Sequence, residues 1–207
     1  VDEMLRQCLF KNHPVRRPIG GSLKTVRQLS LPQLTAIHRQ RYVPQSMVLI
    51  LSGNFSEKDI KVALGNFSCN GNQEAPKRET RGPEVAPPKR TATKSKAGLA
   101  QTYLSLGART TNTLNSDIPA LDLLNVILGV GASSRLFIQL REERALAYSI
   151  CSSQTDGLDF GYFSVDCALK QKNAEKAERL ILKEISKLKS DEVPKAELNK
   201  GKDMILG

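Results

Sequence analysis

Apolar residues along this chain fall into two rhythms, one spaced for helices and one for strands. In "SLPQLTAIHRQRYVP" (30–44), Leu34, Ile37 and Tyr42 supply the apolar contacts of a helix. Ser30 with Gln33 fits a capping box, Pro32 is tolerated in a first turn, and Pro44 ends the element. "SMVLILSGN" (46–54) is short, continuously apolar and stops at Gly53, which predicts a buried strand. "SEKDIKVALGNF" (56–67) predicts a second capped helix, with Ser56 and Asp59 at its start, Ile60, Ala63 and Leu64 on one face, and Gly65 as a stop. From Asn70 to Pro88 the apolar period disappears and Pro76, Pro83, Pro87 and Pro88 appear, the pattern of a linker.

Beyond the linker the rhythm returns. "GLAQTYLSLGA" predicts a strand. "SDIPALDLLNVILG" predicts a helix, with Ser116 as its cap and Pro119 in its first turns. "GVGASSRLFIQLREERA" is a glycine loop running into a Ser-capped helix, and the chain from Tyr148 to Lys170 reads as a β-hairpin. Its second arm alternates, with Phe163, Val165, Cys167 and Leu169 on one face and Tyr162, Ser164 and Asp166 on the other. "NAEKAERLILKEISKLKSD" is an amphipathic helix with Ala177, Leu180, Ile181, Ile185 and Leu188 on its buried side. Helices grouped beside an antiparallel sheet predict an α+β fold in two layers. The expected divisions are a first domain over 1–70, a linker over 71–90 and a second domain over 91–207.

Composition narrows the class without changing this layout. The 207 residues are 40% apolar and 25% charged, as in ordinary globular proteins. No apolar run approaches the roughly 18 residues of a membrane span. The chain opens without Met and ends inside a helix-like pattern, so both ends are expected to be cuts in something longer. Cys8, Cys69, Cys151 and Cys167 are widely spaced and form no CxxC, so they are read as buried or free thiols. The net charge is +10. Residues 1–50 hold eight basic and two acidic residues (+6), and residues 76–96 hold seven and two (+5). Such stretches attract acidic polymers or peptides, or else are simply a solvated face and a solvated linker, which is the simpler reading.

The residues do not spell out a complete catalytic site. His13 and His38 stand far apart, and neither lies in an HxxEH or HExxH frame. There is no GxSxG. "GVGASS" lacks the GK[ST] ending of a phosphate loop. Its glycines still lead into a helix N-terminus with free N–H groups, able to hold a peptide carbonyl or carboxylate, or else they make a tight turn. Arg141 and Tyr148 stand seven residues apart across a predicted helix-to-strand junction. Pairing Thr155 with Phe160 puts Tyr148 opposite Cys167 and into the core. A slip of one residue puts it opposite Ala168, on the open face with Asp166.

Taken together, the chain resembles the pitrilysin/insulinase and mitochondrial-processing-peptidase family of zinc metallopeptidases. The stretch from "HPVRRPIGGSLKTV" to "SGNFSEKDI" resembles part of that family's first domain. "LDLLNVILGVGASSRLFIQLREERALAYSI" resembles its second-domain signature: a glycine loop, SSRLF, then RE-x-x-x-L-A-Y. The resemblance implies repeated α+β domains around a cavity, with zinc in the parent family bound by an HxxEH that this chain lacks. By itself the chain should then be inactive and hold no metal. It also implies that Arg141 and Tyr148 bind peptide and support the transition state, with loop contacts from Gly129, Gly131, Ser133 and Ser134. Ala145 departs from the family, which usually has Gly there. The expected partners are a peptide or unfolded protein substrate and a sister subunit or second copy, with no nucleic acid and no membrane. The whole protein would be an endopeptidase or, alternatively, a non-catalytic partner subunit of a processing-peptidase-like complex.

Overall fold

The computed structural model describes residues 1–66, 81, 82, 84 and 91–207. The linker expected over 71–90 lies, except for those three residues, outside the described part. The chain separates into two compact units, one of Val1–Ile19 with Thr80–Gly207 and one of Gly20–Glu79.

The first unit is built on a three-stranded antiparallel sheet of order β1-β3-β2. β1 is Thr102–Arg109, β2 Ala147–Asp156 and β3 Gly161–Leu169. Its helices are α1 (Asp2–Leu9), α5 (Ile118–Gly129), α6 (Ala174–Ser190) and α7 (Lys195–Leu206). A short π-helix, Phe137–Glu142, precedes β2. The alternation expected in β3 is present. Val165, Cys167 and Leu169 enter the core with Leu128 of α5, Leu136, Leu140, Ile150, Ala177 and Ile181. Each fully buried Leu or Ile contributes about 1.5–3 kcal/mol through removal of apolar surface from water. Leu180, Ile185 and Leu188 pack partly buried around this cluster, so the predicted face of α6 is the buried one. The fold is therefore α+β.

Small residues set the close approaches. A Cβ at Gly129 would lie 2.4 Å from Ser152 Oγ and 2.6 Å from Ser152 N, so α5 meets β2 backbone to backbone. At Gly161 a Cβ would lie 1.8 Å from the Thr111 carbonyl oxygen. On the other sheet face, α1 covers one end only. Leu5 sits over Gly107, and Leu5, Phe10 and Tyr162 make a second small core. His13 belongs to this corner. It is buried, its Nδ1 accepts the Val15 N–H, and its Nε2 faces Asp159 at 3.4 Å. Asp159 also accepts the Arg81 N–H. That bond, followed by the contact with His13, holds its carboxyl below the ordinary 3.8.

The second unit contains α2 (Leu23–Arg27), α3 (Leu31–Arg41) and α4 (Glu57–Asn66). Gln33 Oε1 accepts the Ser30 N–H at the start of α3. Ser56 and Asp59 exchange backbone-to-side-chain bonds at the start of α4. The strand expected over 46–54 does not form. Val48 and Ile50 are 87% and 82% exposed. A strand is stable only when a neighbour takes its N–H and C=O groups, and the described residues of this unit contain no other strand. Among the described residues, no helix is long and apolar enough to cross a membrane.

Candidate functional site

The segment from Gly129 to Tyr148 is shaped by four irregularities in succession. α5 ends at Gly129 against Ser152, and Gly131 then takes a positive φ of 79°. Ser134 is buried and turns its hydroxyl back to the Gly131 carbonyl at 2.8 Å. Gly129 and Ser134 are thus engaged within the protein, while Gly131 and Ser133 stay exposed. The following helix winds as a π-helix, closed by Glu143 N–H donating to the Ile138 carbonyl at 2.9 Å. The extra residue per turn is a form that recurs at functional positions.

Arg141 lies in the last turn of that helix, exposed, with its guanidinium carbon 5.0 Å from the centre of the Phe137 ring. A contact of this kind on an exposed surface stabilises by about 0.5–1 kcal/mol. Arg144 instead caps the helix end, donating to the Gln139 carbonyl at 2.9 Å and the Gln139 side chain at 2.7 Å. Ala145 has φ 47°, the one non-glycine residue with positive φ among the described residues. Glycine adopts this conformation without strain, whereas alanine does not. The turn is fixed by Leu146 N–H donating to the Leu140 carbonyl at 2.8 Å and by Asn173 Nδ2 donating to the Leu146 carbonyl at 3.0 Å.

Tyr148 follows at a break in register. Ala147 pairs with Leu169 and Ser149 pairs with Ala168, so Tyr148 has no partner of its own. Ala147 keeps the slipped register considered from sequence, and beyond the β-bulge the pairing moves one residue further, so that Thr155 pairs with Tyr162. The bulge lets Ala147 and Ile150 both enter the core, while Tyr148 and Ser149 are both exposed. Tyr148 is 48% exposed, and the core position considered for it is not the one it occupies. The neighbouring rungs on this uncovered end of the sheet carry Tyr103 and Asp166. Both Asp166 oxygens accept hydroxyls, from Ser105 at 2.6 Å and Ser164 at 2.9 Å.

The described side chains do not fit a catalytic zinc. Among the described residues no three His, Cys, Asp or Glu gather as metal ligands. His13 Nδ1 is occupied by Val15, and His38 stacks on Tyr42 at 4.7 Å. Sequence reasoning missed Phe137 and Asn173. Phe137 had a signal in its spacing of four from Arg141, whereas Asn173 meets Leu146 across 27 residues and gave none.

The site thus sets an exposed Arg141 and an exposed Tyr148 after a glycine loop, at the entry to the second strand of the sheet. The chain belongs to the peptidase M16 family, since the model for the peptidase M16 inactive domain matches residues 28–205. It is 34% identical over 212 residues to an uncharacterized zinc protease of Mycobacterium leprae, covering 100% of this chain and 47% of that protein. It is 27% identical to the uncharacterized zinc protease YmxG of Bacillus subtilis, covering 100% of this chain and 50% of the relative. The chain thus spans about half the length of the curated relatives it matches. The peptidase M16 inactive domain of Pseudomonas fluorescens shares its fold with a TM-score of 0.85 at 23% identity, over 100% of this chain and 50% of that one. A chain of complex III2 from Candida albicans does so with a TM-score of 0.73 at 17% identity, over 98% and 50%.

Proposed function

We propose that this chain forms part of the peptide-binding wall of a zinc-dependent metalloendopeptidase, and that Arg141 and Tyr148 are the side chains it offers to the bound peptide. The observation that carries this reading is the β-bulge, which turns Tyr148 out of the core seven residues after the exposed Arg141. The Tyr148 hydroxyl donates to a peptide carbonyl oxygen without desolvating a charge. The Arg141 guanidinium, held over Phe137, donates to the same class of acceptor and offers positive charge where a carbonyl oxygen gains negative charge during amide cleavage. The exposed Gly131 and Ser133 provide further backbone contacts beside the helix start. In this reading zinc in the whole protein is held elsewhere, since the described residues gather no three candidate ligands.

The test is Arg141→Ala and Tyr148→Phe in the full-length, zinc-loaded protein. Peptide turnover is expected to fall at least about tenfold for each with the fold intact. Turnover at the wild-type level would remove both residues from the site. The second reading, a non-catalytic partner subunit, is prompted by the fold shared with a chain of complex III2. The presence or absence of an HxxEH in the full-length protein separates the two.

A further inference from the structure

The proposed peptide site leaves the chain's positive charge unexplained. Residues 1–50 carry eight basic and two acidic residues, and the structure gathers three of the basic ones around one cavity. The cavity, of about 300 Å³, lies between the end of α1 and the turn at Pro14–Arg16. Its described lining is Gln7, Lys11, Asn12, Arg16, Arg17 and Pro18, which contains three cations and no carboxylate. Among the described residues, none of the three cations forms an ion pair. The ion pair of this corner joins Arg6 to Asp2, and His13 faces Asp159 at 3.4 Å. Of the nearby carboxylates, Glu3 accepts the Gln7 amide, and Glu84 accepts the Asn12 N–H with one oxygen while its Oε2 is buried without a hydrogen-bond partner among the described residues.

Arg16 supplies the second observation. Its Nε is buried and has no hydrogen-bond partner among the described residues. A buried guanidinium N–H without an acceptor is costly, and in a cavity already holding two more cations the matching acceptor is an anion. The scaffold is rigid. Pro14 opens the turn, His13 Nδ1 ties it to Val15 N–H, and Pro18 follows Arg17. The backbone that carries Arg16 and Arg17 is thus fixed, while the exposed Lys11 and Arg17 side chains would be ordered by the anion itself. A guanidinium fork matches a tetrahedral oxyanion, and the lining holds no aromatic ring on which a base could stack.

We propose that this cavity binds a phosphate-class oxyanion carried by a small molecule. The proposal is independent of the Arg141/Tyr148 reading. It is tested by calorimetric titration of the 207-residue chain at low ionic strength, with inorganic phosphate and with tripolyphosphate as probes. Saturable one-site binding is expected, tighter for tripolyphosphate. It should weaken at least about tenfold in R16Q/R17Q and less in K11Q, with melting temperature preserved. If the double variant does not fold, K11Q alone decides by the same comparison. Lys202→Gln, on the distant α7, is expected to bind as wild type. The proposal is overturned if wild type shows no saturable binding, or if K202Q weakens it as much as K11Q. It is also overturned if an acidic peptide competes as well as tripolyphosphate, or if only an oligonucleotide binds, with affinity growing with its length. That last result would mark an open electrostatic track instead of a cavity.

Discussion

The two units use similar apolar patterns with opposite results. In the first, Leu136, Leu140, Leu169 and Ile181 are completely buried between the sheet and its helices. In the second, Leu23, Leu31, Val48 and Ile50 stand 76–87% exposed, and Val43 is the buried apolar residue among those described. The difference lies in partners. An apolar stretch becomes core when another element is in reach to cover it and, for a strand, to take its backbone hydrogen bonds. "SMVLILSGN" has the composition of a strand and no described strand beside it. "GYFSVDCAL" has one on each side.

Truncating Leu140 to Ala should therefore have the largest effect on stability, costing about 2–5 kcal/mol because it leaves a cavity in the packed core. Ile50→Ala, at an equally apolar but exposed position, should stay within about 0.5 kcal/mol. Chemical denaturation of both variants checks the contrast, and equal losses would erase the distinction between the units. Next comes Gly129→Ala, which drives a methyl group into the Ser152 backbone and should cost about 1–3 kcal/mol. Asp159→Ala should cost about 1–2 kcal/mol by removing the acceptor of the Arg81 N–H and the carboxylate that faces buried His13. Because the folded Asp159 carboxyl lies below its ordinary value, its contribution is present above about pH 4 and is lost as pH falls through the lowered value. The difference between wild type and D159A should accordingly shrink in acid. Ala145→Gly, which relieves the positive φ, should raise stability by about 1 kcal/mol. The smallest effect is chemical: burial pushes the Cys167 thiol up to about 11, so native protein should not label there at neutral pH.

Much of the first unit was legible in sequence because its signals were local. The alternation in β3 and the apolar face of α6 read directly onto the core. The α+β class followed from element order. The hairpin register was not legible, since the bulge at Tyr148 depends on how Ala147 and Ile150 share the core; beyond it the pairing lies two residues from the first register considered and one from the second. The π-form of Phe137–Glu142 was also invisible, because its spacing passes for an α-helix. The strand expected over 46–54 failed for the converse reason: its local signal was strong and its partners were not local. At the candidate site, the spacing of Arg141 and Tyr148 was visible early, and the structure adds the turn at Ala145 and the stack on Phe137.

The central claim is that Tyr148 faces a bound peptide. Photo-crosslinking tests it directly, with p-benzoylphenylalanine placed at position 148 or, as a control of matched exposure, at position 182 on α6. Tyr148 is 48% exposed and Leu182 49%, so accessibility alone predicts equal yields. In the full-length protein, with an unlabelled peptide substrate, the account predicts a peptide adduct from position 148 that excess competing peptide abolishes, and none from position 182. Equal yields from both positions, or none from 148, would contradict it.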